Sequence, residues 1–121
     1  MFDWTGRFDG EEESYHRIFQ RVKTETDYET INPNDFVLHG FAVDEGVKRN
    51  KGRVGAQESP DLIRKSMSNF PVVNFGFSLR DFGNIKCEDN DLESTQNSLA
   101  EKVSKVLSKQ GKSVVLGGGH E

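Results

Sequence analysis

Cysteine is almost absent: Cys87 is the one thiol in 121 residues. An internal disulfide framework is therefore excluded, and a reducing compartment is expected. Apolar residues are also in short supply, at 33% against 30% charged, with a mean hydropathy of −0.70. A domain of this length would bury about two-thirds of its unfolded surface, so the apolar supply is thin for a fully wrapped core, and completion by something outside the chain is expected. No run approaches the length of a membrane span. The opening stretch MFDWTGRFDGEEES is acidic where a secretory leader would be basic and then apolar. A cytoplasmic protein with no membrane partner is expected. A broad basic face is missing too: the formal net charge is −4, and the cations are dispersed except at Lys48, Arg49, Lys51 and Arg53. A phosphate-backbone binder needs such a face, so nucleic acid is not an expected partner. There is no internal repeat and no low-complexity tract.

What is present is alternation. Residues 9–23 open with Asp9 and Glu12 at capping-box spacing and place Tyr15, Ile18, Phe19 and Val22 at helical intervals, which predicts an amphipathic helix. Residues 24–34 are polar and turn-rich, a loop. DFVLHGFAV at 35–43 is apolar on both alternating faces, the pattern of a strand covered on both sides of its sheet. A long glycine-rich and charged loop follows. Ser59 as N-cap, Pro60 at the first helical position and Asp61 in the first turn start a second helix with Ile63, Met67 and Phe70 inward, ended near Pro71. Phe75, Phe77 and Leu79 in period two predict a strand, with Gly83 and Asn84 as turn residues. Asn90 and Glu93 form a capping box for a helix with Leu92, Leu99, Val103, Val106 and Leu107 as its stripe and Gly111 at its C-terminal cap. That helix leads into SVVLGGGHE, predicted as a short buried strand. The order helix, strand, helix, strand, helix, strand implies an α/β fold with right-handed crossovers and a mainly parallel sheet.

In open parallel sheets, ligands bind beyond the carboxyl ends of the strands. Two loops reach that rim: the one after residue 43 and the glycine loop ending in His120. Glycines 117–119 leave no side-chain bulk around the imidazole, which suits a metal ion. One histidine is not a site, and a histidine in a tail is the competing reading. A phosphate cradle is disfavoured, because no Gly-Lys-Ser/Thr follows and a G-x-G-x-x-G spacing is not completed. Lys48, Arg49, Lys51 and Arg53 stand among glycines where they could meet an anionic substrate. The alternative is a solvated loop balanced by Asp44, Glu45 and Glu58; Arg53 is the first candidate for a carboxylate contact. His16 is expected on the polar side of the first helix and exposed. His39 is expected to be a hydrogen-bonded core histidine, and Asp81 a hydrogen-bonding residue at a strand end, the alternative being a carboxylate that supports a ligand from behind.

GFAVDEGVKRNKGRVGAQESPDLIR at 40–64 and VVLGGGHE at 114–121 together resemble the amino-terminal portion of the arginase/agmatinase/formiminoglutamase superfamily, the ureohydrolases. Arginases and agmatinases typically show Gly-Gly-Asp-His-Ser at the strand end. Here Gly119 stands for that Asp and Glu121 for that Ser, a departure that resembles the formimidoylglutamase branch. The resemblance implies a three-layer αβα arginase-like fold, present only in part, with residues 1–121 the amino-terminal portion of a single domain. It implies that His120 is the first histidine of a two-manganese (Mn2+) site whose other ligands, from Asp-x-His-x-Asp and Asp-x-Asp segments, do not occur in this chain. The implied activity of the full-length enzyme is hydrolysis of N-formimidoyl-L-glutamate to L-glutamate and formamide in histidine breakdown. The small-molecule substrate carries two carboxylates for Arg53 and its neighbours. No catalytic residue carries over, so this chain alone is expected to be inactive; the full-length enzyme is expected to be a homo-oligomer. The alternatives are another ureohydrolase acting on a guanidino compound, such as an agmatinase, or a small non-catalytic ligand-binding α/β domain.

Overall fold

The computed structural model describes residues 1–73 and 76–119; Phe75, His120 and Glu121 lie outside the described residues. Four strands, β1 (Val22–Thr24), β2 (Phe36–Ala42), β3 (Leu79–Lys86) and β4 (Lys112–Leu116), form one sheet in the order β1-β3-β2-β4. Every pairing is parallel. The helices are α1 (Ile18–Arg21), α2 (Glu45–Arg49), α3 (Ser59–Met67) and α4 (Leu92–Ser108).

The apolar run of β2 sits at the centre of this sheet, and its alternate residues serve two different cores. Phe41 and Val43 pack with Leu92 and Leu99 of α4, and Val37 packs with Val106. Leu38, on the opposite face, packs with Leu79, Leu116 and Ile63 of α3. Helices therefore cover both faces, which is the three-layer arrangement expected, carried by a parallel sheet.

Helix α3 departs from its expected apolar stripe. Its fully buried positions are Pro60 and Arg64, with Ser68 one turn on, whereas Phe70 is 56% exposed. Arg64 is buried because all five of its N–H groups are used. Nε and Nη2 form a bidentate pair with Asp81 at 3.0 and 2.9 Å. Nη1 donates to Asp61 Oδ1 at 3.0 Å and to Asn84 Oδ1, and Nη2 also donates to the Gly83 carbonyl at 3.2 Å. Asp81 is equally saturated: besides Arg64 it accepts from Trp4 Nε1 at 2.8 Å and from the Gly83 amide at 2.9 Å. Both side chains are 0% exposed.

Gly83 and Asn84, expected to turn the chain, lie inside β3. The register shifts there, with Leu38 opposite Asp81 but Gly40 opposite Asn84, so β3 holds one extra residue at Gly83, whose φ is +81°. This is a bulge, and Gly supplies its left-handed residue. The bulge restores inward and outward facing: Asp81 and Asn84 both meet Arg64, while Phe82 and Ile85 face the α4 side.

The predicted helix over 9–23 is not formed. It is replaced by a 3-10 turn at Glu13–Tyr15, the single turn of α1 and then β1. Tertiary partners outcompete helical ones: Ile18 and Phe19 donate to the carbonyls of Phe70 and Ser68, and Val72 donates to that of His16. Asp9, expected in the cap, pairs with Arg17 and Arg7. His16 is partly buried rather than exposed and lies 2.9 Å from the Glu11 carbonyl. In α4 the cap is Asp91, which accepts from the Ser94 amide at 3.0 Å, not Asn90. At its other end, Gln110 is the left-handed residue (φ +63°). Gly111 donates to Val106 O at 3.0 Å and Gln110 to Leu107 O at 2.9 Å, the paired bonds of a Schellman end. Space around Gly111 is tight, since a Cβ would lie 3.0 Å from Val106 Cγ1 and 3.1 Å from Ile31 Cγ2. Leu107 points outward. β4 was expected to be buried, but Val114 and Val115 are 38% and 43% exposed, because β4 is an edge strand paired only to β2 among the described residues.

His39 is 1% exposed, with its Nε2 2.7 Å from the Tyr28 hydroxyl, as expected of a core histidine. Burial pushes its pKa down from 6.5 to about 4, with Lys102 adding to the shift. The unfolded chain therefore binds a proton that the folded chain refuses between those values, and stability is present above pH 6.5 and lost as pH falls towards 4. The urea midpoint is expected to drop through that window, and His39→Gln is expected to flatten the drop. For the buried pair, Asp81→Ala is expected to cost about 3–5 kcal/mol by stranding Arg64. The double change Asp81→Leu with Arg64→Met should cost less than that single one, which a double-mutant cycle by urea unfolding measures.

Candidate functional site

The carboxyl ends of β2 and β4 meet the amino end of α3 at one rim. After Leu116 the chain turns through Gly117 (φ +55°) and Gly118 (φ +87°). These are left-handed conformations that favour glycine, and space requires glycine as well. A Cβ on Gly118 would strike the Phe41 carbonyl and come within 3.0 Å of that of Val43, and one on Gly117 would strike the Ser59 hydroxyl. Two hydrogen bonds pin the turn. The Gly118 amide donates to Ser59 Oγ at 2.8 Å, and the Gly119 amide donates to the Val43 carbonyl at 2.7 Å. His120 is the next residue and lies outside the described residues. Its predecessor is held against the end of β2.

The loop after residue 43 is more ordered than its glycines suggest. It contains α2 and a 3-10 turn at Ala56–Glu58. Asp44 organises it: Oδ2 accepts from the amides of Gly55 at 2.7 Å and Gln57 at 3.3 Å. The four cations divide. Arg49 is structural, donating to Glu93 Oε1 at 2.7 Å and to the Asn90 carbonyl at 2.9 Å; that guanidinium holds the Glu93 carboxyl below the usual range. Arg53 is exposed, with no hydrogen bond or ion pair among the described residues. Lys51 is exposed as well, and Lys48 borders a cleft.

That cleft, about 430 Å³, lies between Val43, Asp44, Lys48, Val54, Gln57 and Cys87. A larger one of about 550 Å³, over Ala42, Asp61, Lys65 and Lys86, shares only Gln57 and Cys87 with it. The smaller cleft adjoins the pinned turn, because the Val43 carbonyl is the acceptor for Gly119. Arg53 neighbours its lining residue Val54. Arg53 and the strand end preceding His120 are thus carried by neighbouring segments of one rim, while His16 and His39 are remote from it. Asp81 is no strand-end residue: it lies within β3 and anchors Arg64. Sequence reasoning missed Arg64 and misplaced Ser59, which is the first residue of α3 and not its N-cap, that position being Glu58. The signal for Arg64 is the four-residue spacing Pro60, Arg64, Ser68 on one helix face, obscured because two of the three are polar.

Among the described residues, no three His, Cys, Asp or Glu side chains gather closely enough to hold a metal ion. The described part of the rim therefore holds no complete donor set of its own. If the turn is built for glycine, Gly118→Ala should lower the thermal midpoint by several degrees, matching a cost of about 2 kcal/mol from strain and collision. Gly55→Ala is the contrast, since nothing lies within 4 Å of a Cβ there, and its cost should be limited to that of its positive φ.

The chain is 46% identical over 121 residues to the formimidoylglutamase of Cupriavidus pinatubonensis, covering 98% of this chain and 38% of that protein. It is 40% identical over 119 residues to that of Paraburkholderia xenovorans, covering 98% of this chain and 37% of the relative. A crystal structure of Trypanosoma cruzi formiminoglutamase with Mn2+ superposes with a TM-score of 0.63 at 34% identity, over 71% of this chain and 31% of that one. The chain thus spans 31–38% of the length of these proteins. The arginase family model matches residues 34–121, most of the chain and all of the rim, and the chain belongs to the arginase family.

Proposed function

We propose that residues 1–121 are the amino-terminal part of a single ureohydrolase domain that hydrolyses N-formimidoyl-L-glutamate to L-glutamate and formamide. The observation that carries this reading is the similarity to formimidoylglutamases at 40–46% identity over 98% of the chain. In this reading His120 is a manganese ligand, delivered by the pinned glycine turn, and Arg53 contacts a substrate carboxylate. The chemistry that two such ions supply when bound is a lowered pKa for water and positive charge beside the formimidoyl carbon. The residues of this chain do the positioning. Gly117–Gly119 hold the approach to His120 free of bulk, Asp44 clamps the loop that bears Arg53, and the exposed Arg53 guanidinium is available for a bidentate carboxylate contact. The remaining metal ligands come from segments beyond this one. The full-length enzyme acts in the cytoplasm, as a homo-oligomer.

The test is a substrate panel on the full-length protein, stripped with chelator and reloaded with Mn2+. Formamide release from N-formimidoyl-L-glutamate is expected, without urea release from agmatine or arginine; urea release would assign the protein to another ureohydrolase branch. His120→Ala should abolish turnover, and Arg53→Ala should raise KM with a smaller effect on kcat. Residues 1–121 alone should be inactive with or without Mn2+.

A further inference from the structure

We propose that Ser59 is a positioning residue acting on His120 through the backbone: its hydroxyl holds the Gly118 amide and so fixes the turn from which His120 follows. This role rests on the reading of His120 as a metal ligand.

A serine followed by proline at a helix start is expected to spend its hydroxyl on the helix. Ser59 does not. It already has helical dihedrals (φ −62°, ψ −35°), α3 has Pro at its first turn, and the preceding N-cap residue Glu58 makes no side-chain cap bond. The Ser59 hydroxyl is turned across to the strand-end loop instead, 2.8 Å from the Gly118 amide and fifty-nine residues away in sequence. Gly117 presses on the same hydroxyl, since any Cβ there would collide with it. Contact and hydrogen bond together leave the turn one way to pass the start of α3.

The anchor is stiff at both ends. Five residues along α3, Arg64 is locked to Asp81 of β3 by the buried bidentate pair, which fixes the helix on the sheet. Beyond Gly118, the Gly119 amide is held at 2.7 Å by the Val43 carbonyl of β2's end. Two successive amides before His120 are therefore held from two different elements, α3 and the end of β2. Removing the Ser59 oxygen releases one of them and leaves the other as a hinge. Residues that orient a metal ligand in this way typically govern affinity by about 10–100-fold.

The experiment compares Ser59→Ala with Ser68→Ala in the full-length protein, reading Mn2+ affinity by titration of the free ion's magnetic-resonance signal and amide exchange at Gly118. Ser68 is the C-cap of the same helix and donates to the Arg64 carbonyl at 3.0 Å while 3% exposed, so its loss is a comparable structural injury away from the loop. Ser59→Ala is expected to weaken Mn2+ binding by about tenfold or more and to speed exchange at Gly118. Ser68→Ala should lower the unfolding midpoint and leave both readouts unchanged. Equal Mn2+ affinity in Ser59→Ala and wild type, or equal loss in the two variants, overturns the role. A wild-type protein that binds no Mn2+ overturns the metal reading itself and this role with it, a result distinguishable from the other two.

Discussion

A guanidinium and a carboxylate buried side by side, Arg64 and Asp81, are the constraint around which the α3 layer is built. Two ions removed from water are tolerable only when their remaining donors and acceptors are also satisfied, and here they are. Satisfying them dictates the surroundings. Gly40 of β2 is glycine because a Cβ there would collide with Asn84 Oδ1 and stand 2.7 Å from Pro60 Cβ and 2.9 Å from Arg64 Nη1. The bulge at Gly83 turns an amide and a carbonyl onto the pair. The amino-terminal arm, which has no regular structure of its own, is tied down where Trp4 reaches the carboxylate.

Because α3 starts at the rim where β2 and β4 end, fixing its position inside the protein also fixes its amino end outside. The rim inherits that rigidity through Ser59 and the Val43 carbonyl. The same logic runs through Asp44, which accepts two backbone amides and so orders a loop that has few apolar contacts of its own. Polar side chains, rather than apolar packing, hold this surface.

Much of this was legible in the sequence wherever a periodicity was decided by packing. The doubly apolar run of β2, the stripe of α4 apart from the exposed Leu107 and the alternation that makes a parallel sheet read correctly, because burial rewards the same pattern that sequence displays. The glycines of the strand-end turn were legible for the same physical reason. Failures came where a distant partner took precedence. The helix expected over 9–23 yields to backbone bonds with residues 68–72, and no local propensity announces them. Gly83-Asn84 reads as a turn because left-handed residues are usual in turns, yet a bulge asks for the same geometry inside a strand. Arg64 was hidden by the rule that charge lies outside, and its partner Asp81 is seventeen residues away. Where α4 begins, Asn90 and Asp91 are both plausible caps on composition, and only the backbone settles which is used.

The bulge also makes the length of β3 meaningful residue by residue. From Leu79 to Asp81 the strand faces α3 at odd positions, and from Asn84 onwards it does so at even ones. Were Gly83 exchanged for a residue that continues the pleat instead of bulging, the surroundings of all that follow would be exchanged: Ile85 would be sent to the guanidinium, and Asn84 and Lys86 under α4, beside Phe41 and Leu92. Losing the Gly83 codon altogether would leave those residues on their present faces and take from the buried pair only the amide and the carbonyl that the bulge turns onto it. At this one position a substitution is therefore more damaging than a deletion.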